Sequence, residues 1–145
     1  ESHLVFDLEL AVEQSAKNPV YYVQYGHARI ASILRKAADG RGALVERAKK
    51  GLEVGKLSHP GEIALVRRLA DFSRTVSSAA EARAPHRLAE YAHSVATDFH
   101  AFYTTCIVLC DDDALTSARL SLCLATKTVL ASALELIGVS APDSM

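Results

Sequence analysis

Apolar residues in this chain recur at steps of three and four, the spacing of one helical face. The longest such run is Leu88, Ala92, Val95, Phe99, Phe102 and Cys106. Its regular alternation is that of a buried face in a helical bundle. A second run, Leu65, Leu69, Phe72 and Val76, predicts a helix over 61–80. Further on, Leu115, Leu122, Val129 and Leu136 recur every seven residues, with Ala118 and Ala125 between them. They predict a helix over 114–137. Near the start, Val23, Ile30, Leu34 and Ala37 share one face, with Ile33 at its edge, inside a helix predicted over 19–38.

Punctuation residues divide these runs. Asn18-Pro19 ends a short helix over 7–16 and starts the next, because Asn caps a helix and Pro suits its first turn. Asp39-Gly40-Arg41-Gly42 predicts a loop, and 43–50 a short basic helix. Gly51, Gly55 and Ser58-His59-Pro60-Gly61 mark a connector. Pro85 opens the helix that carries Leu88 to Cys106, and Gly138 closes the last helix. Ile107-Val108-Leu109 is the one β-like run. The predicted fold is all-α, an antiparallel helical bundle.

Hydrophobic residues make up 50% of the 145, enough for a sizeable core, and charged residues 23%. A formal net charge of -1 argues against a strongly basic DNA binder, although a local patch can still meet phosphates. Cys106, Cys110 and Cys123 are an odd set without a CxxC pair, so they read as thiols of a reducing compartment. Cys106 and Cys110 with nearby His100 fall short of a tetrahedral metal site, and no metal is expected. Glu1 to Asp7 lack the pattern of a secretory signal, and no apolar run reaches membrane-spanning length. The expected place is the cytoplasm, with no membrane partner.

The polar side of the first long helix carries the candidate chemistry. Three tyrosines, a glutamine, a histidine and an arginine fall within residues 21–29, more than packing needs. Tyr22, Tyr25, Gly26 and Arg29 form one strip on a helical wheel. Aromatic rings and guanidinium planes stack on the splayed bases of single-stranded loops. Gly26, with no side chain, would let a base or ribose approach the backbone. The competing reading is that the rings pack sideways against a neighbouring helix. His27 lies near the core face and reads as a hydrogen-bonded packing residue. Arg35, Lys36, Arg41, Arg47, Lys49 and Lys50 cluster near the first loop as candidate phosphate contacts, diluted by Glu46 and Glu53. Asp111 to Asp113 read as acids at a helix N-terminus, and Asp98 and His100 point apart on one helix.

Residues 18–37, from Asn18-Pro19-Val20-Tyr21-Tyr22-Val23-Gln24-Tyr25-Gly26-His27-Ala28-Arg29 onward, are very similar to a stretch of the arginyl-tRNA synthetases. There it joins the catalytic core to the anticodon-binding domain. Phe6-Asp7-Leu8, Glu13-Gln14-Ser15, Phe99 to Cys106, Ala118-Arg119-Leu120 and Leu136-Ile137-Gly138 to Met145 resemble that family in the same order. The resemblance implies a C-terminal domain of the DALR type. Thr116 stands where that pattern has arginine, Gly26 where alanine is usual, and Asp143-Ser144 where Glu-Arg is usual.

By that resemblance, residues 1–17 end a linker from the catalytic domain and 18–145 form the helical anticodon-binding domain. Tyr22, Tyr25, Gly26, Arg29, Tyr103 and Met145 would meet anticodon bases. Arg35, Lys36, Arg47, Lys49 and Lys50 would meet phosphates. The implied partners are tRNA(Arg) and the enzyme's own catalytic domain, with the chain a monomer. The full-length enzyme would attach arginine using ATP and Mg2+. This stretch carries no cofactor and no catalytic residue, because the His-Ile-Gly-His-like motif and the mobile lysine loop are missing from it. Two rival readings are a protein–protein or dimerisation bundle without RNA binding, and the same domain type from another class I ligase.

Overall fold

The computed structural model describes residues 8–15, 17–51 and 53–145. Six α-helices and a 3-10 turn follow in order: α1 (Leu8–Val12), α2 (Pro19–Lys49), the turn (Val54–Lys56), α3 (Pro60–Ala70), α4 (Phe72–Glu81), α5 (His86–Thr105) and α6 (Asp113–Leu136). There is no strand among the described residues, and Ile107-Val108-Leu109 is loop. Of the family-like residues, Phe6 and Asp7 lie outside those described.

The expected caps are in place. Asn18 Oδ1 accepts from the amides of Val20 and Tyr21, with Pro19 in the first turn of α2. Asp112 Oδ1 caps α6 through the amides of Ala114 and Leu115, which hold its carboxyl below the ordinary range. Gly138, at φ 75°, ends α6, with Val139 N donating to Leu134 O.

Two sequence expectations are corrected. First, the break at 39–42 is a kink and not a loop: two helical segments join at Arg41, which alone has non-helical dihedrals, and α2 runs on to Lys49. Ala37 and Val45 are buried on either side of that bend, and their packing offsets the helix cost of Gly40 and Gly42. Second, the helix over 61–80 is two helices that meet at Asp71. The Tyr91 hydroxyl donates to the Arg68 carbonyl at 2.7 Å, the acceptor that a continuous helix would give to residue 72. The heptad line does mark α6, within one residue at each end, but only part of it is buried. Leu122 is fully buried, Leu115 and Val129 are half-buried, and Leu136 is exposed. The helix is wrapped on several sides by α2, α3 and α5, so Leu120, Cys123, Leu130 and Leu134 are buried as well.

Ser121 Oγ donates to the Ala48 carbonyl at one end of α2, whereas Gln24 and His27 meet residues 140 and 142 at the other. The two helices therefore run antiparallel. On its other flank α2 runs parallel to α5, with Tyr22 facing His93 and His100, and Arg29 facing Tyr103. The whole predicted stripe of α5, Leu88 to Cys106, is buried.

Candidate nucleic-acid interface

The seam between α2 and α5 gathers the rings. The core face of α2, carrying Val23, Ile30, Ile33 and Ala37, is buried, and this turns Tyr22, Tyr25 and Arg29 to the edge. Tyr22 is half-buried, its centroid 5.0 Å from both His93 and His100. Tyr25 stacks on His100 at 5.8 Å and 22° and keeps 39% of its surface open. Tyr103 stacks on the buried Phe99 at 6.0 Å.

Arg29 joins the two halves of the seam. Its Nη1 donates to the Tyr25 hydroxyl at 3.3 Å, and Nη2 makes a long contact to the Tyr103 hydroxyl at 3.5 Å. Its guanidinium carbon lies 4.9 Å from the centroid of the Tyr103 ring. No carboxylate pairs with it among the described residues, so an exposed cation sits among open aromatic surfaces.

Two hollows flank this cation. Tyr21, Tyr22, Tyr25 and His100 line one of about 410 Å³. Ile33, Lys36, Tyr103 and the stretch 104–109 line another of about 360 Å³. Burial, and then the charge of Arg29, push the His100 imidazole below its ordinary value of 6.5. The ring is neutral at pH 7 and serves as an uncharged floor. Its Nε2 is buried with no hydrogen-bond partner among the described residues.

Not every expected residue joins the seam. Gly26 is buried, and a Cβ there would lie 3.6 Å from that of Ala96. The backbone at Gly26 is covered by α5 and α6, which leaves no open surface there for a base. Met145 is 54% exposed at the end of a tail that follows the other flank of α2. Gln24 donates to Ser140 O at 2.8 Å, His27 Nδ1 to Pro142 O at 2.8 Å and Arg35 to Asp143 O at 3.1 Å. Lys127 pairs with Asp143 at 2.7 Å. Among the described residues no hydrogen bond, ion pair or ring contact joins Met145 to Tyr25, Arg29 or Tyr103.

The basic cluster near the bend is largely engaged. Arg47 pairs with Glu53 at 2.8 Å and Lys49 with Glu46 at 2.7 Å, while Arg41 bonds the Cys110 carbonyl. The side chains of Lys36 and Lys50 are exposed and make no hydrogen bond or ion pair among the described residues. Asp98 is taken by Arg68 at 2.7 Å and is not available to His100. Sequence reasoning missed Tyr21, His93 and His100 as parts of the seam. The available signal was the seven-residue spacing of the two histidines, one step off the buried face of α5.

Comparison with known proteins agrees with this architecture. An arginine–tRNA ligase of Moorella thermoacetica is 52% identical over all of this chain, which spans 26% of that protein. That of Salinibacter ruber is 48% identical, with 25% of its length covered. The solved arginyl-tRNA synthetase of Thermus thermophilus superposes with a TM-score of 0.78 at 34% identity, over 97% of this chain and 23% of its own. The chain thus spans about a quarter of the curated relatives it matches. A match over residues 23–145 places the chain in the DALR anticodon binding domain family.

Proposed function

We infer that this chain is the anticodon-binding domain of an arginine–tRNA ligase and grips the anticodon arm of tRNA(Arg) along the α2–α5 seam. One observation carries the reading: a guanidinium with no carboxylate partner among the described residues, Arg29, set between the exposed ring of Tyr25 and the half-buried ring of Tyr103. Free bases stack on such surfaces, and a cation there attracts the strand. The names of its relatives and the family match support the same reading.

In this reading Tyr22, Tyr25, Arg29 and Tyr103 meet bases, and Met145 reaches the RNA from the tail. Lys36 and Lys50 are the first candidates for phosphate contact, because Arg47 and Lys49 would have to leave their carboxylates. Residues 1–17 lead from the catalytic domain and 18–145 form the RNA-binding unit. The whole enzyme, using ATP and Mg2+ held elsewhere, attaches arginine to the tRNA in the cytoplasm. This domain works as a monomer beside its own catalytic domain. Within this chain no helix among the described residues is long and apolar enough to cross a membrane.

Titrating the chain with tRNA(Arg) tests the reading. Salt-sensitive, saturable binding is expected, weakened by changing the central anticodon base. Tyr25→Ala and Tyr103→Ala should each weaken it by roughly 5- to 100-fold, the range for one lost stacked base. Unchanged affinity in both variants would remove the seam from RNA recognition. Self-association with indifference to tRNA would favour the dimerisation reading instead.

A further inference from the structure

The loop between α5 and α6 has no regular structure, yet side chains from α2 and α6 hold its backbone. Arg119, on α6, donates from Nη1 to the Ile107 carbonyl at 2.7 Å and from Nε to Glu62 Oε1 at 2.6 Å. Glu62, 1% exposed, fixes Arg119 in turn, because its other oxygen accepts from the amides of Ser58 and His59 at 2.9 Å each. At the far end, Thr116 Oγ1 accepts from the Cys110 amide and donates to its carbonyl, both at 3.1 Å. Arg41 reaches that carbonyl from α2. Between these anchors stands Ile107, 74% exposed. An aliphatic side chain that exposed, on backbone that constrained, does nothing for the core. It forms the rim of the second hollow, beside Tyr103 and Lys36.

The geometry points to Arg119 as a positioning residue for RNA. Through the Ile107 carbonyl it fixes the rim on which the nucleotide next to the one at Tyr25 and Arg29 packs. This inference rests on the RNA reading given above. Tyr103 belongs to both places, since its ring carries Arg29 and its side chain also lines the second hollow. Two bases bound there would share one side chain, as neighbours on one strand can. Lys36 supplies a free cation for their phosphate. A platform already rigid loses no conformational freedom when a base lands on it, so its contact is not offset by ordering.

The test uses an anticodon-arm RNA of arginine tRNA with 2-aminopurine at one loop position at a time. Wild type is expected to change the fluorescence at two adjacent positions. Ile107→Ala should abolish the change at one of them and weaken binding roughly 5- to 20-fold. Arg119→Lys, which keeps a charge for Glu62 but lacks a second arm for the Ile107 carbonyl, should abolish the same one. The double variant should bind no worse than the weaker single. Glu62→Gln, which loosens Arg119 without touching the seam, should repeat the pattern if Arg119→Lys folds poorly. Full response in Ile107→Ala, a surface change that cannot unfold the chain, would overturn the inference. So would wild-type behaviour of Arg119→Lys, or an equal loss at every loop position. If Tyr25→Ala weakens binding and these variants do not, only the positioning role fails. If wild type ignores the RNA, both readings fail.

Discussion

A Cβ built on Gly26 would meet the Ala96 Cβ at 3.6 Å, Leu130 Cδ1 at 3.7 Å and His100 Nε2 at 3.9 Å, all ordinary contact distances. Glycine inside a helix costs about 1 kcal/mol relative to alanine. Gly26→Ala is therefore expected to stabilise the chain by about 1 kcal/mol, read as a higher denaturant midpoint, and to leave RNA affinity unchanged. Were a base to lie on that backbone, the same variant would lose affinity. Tyr25 and Arg29 were legible from sequence because ordinary packing gives no reason for such side chains at the edge of a core face. Gly26 could not be assigned from sequence, for a physical reason. A glycine can admit a ligand or a neighbouring helix, and only the position of α5 and α6 decides which.

At the level of elements, local rules held where local chemistry sets the outcome. Asn18, Pro19, Asp112 and Gly138 all stand where the helix ends require them. Of the breaks inside helices, the kink at Arg41 was signalled by Gly40 and Gly42, but the break at Asp71 was not legible. It follows from a tyrosine on another helix claiming the Arg68 carbonyl, a contact 23 residues away in sequence. The turn between α4 and α5 shows the opposite case, a strained residue without a sequence signal. Arg83 takes φ 52°, left-handed and unfavourable for a side chain, while Ala84 N donates to Ala79 O. Arg83→Gly should relieve this by about 1 kcal/mol and raise the thermal midpoint by roughly 2–4 °C in a scanning experiment. An unchanged or lower midpoint would mean that the turn carries no such strain.

Across the whole molecule, the groups moved from their ordinary titration range define how it tolerates acid. His100 is held below 6.5 by burial and by Arg29, so its neutral form is favoured in the fold. Its contribution to stability is complete above 6.5 and is lost as pH falls through the lower folded value. Burial pushes the Glu62 carboxyl up, but the hydrogen bond from Arg119, the amides of His59 and Ser58, and the charge of Arg119 bring it below 4.5. Its contribution therefore persists to lower pH than that of His100. Denaturation midpoints measured downward from pH 7.5 should begin to fall near 6.5. His100→Phe, which keeps a ring beneath Tyr25, should flatten that first step and leave the Glu62 step intact. An identical slope in both proteins would assign the first step to another group. On the α5 side of the seam Tyr103 came through the family resemblance, whereas the pairing of His93 and His100 with Tyr22 and Tyr25 depends on α2 and α5 running parallel in one particular register.

The bend at Arg41 has a mechanical corollary. Because the helix changes direction there, a change of length in the connector leading to Pro60 would not twist the roughly six turns of α2 before the bend, and the rings would keep their spacing.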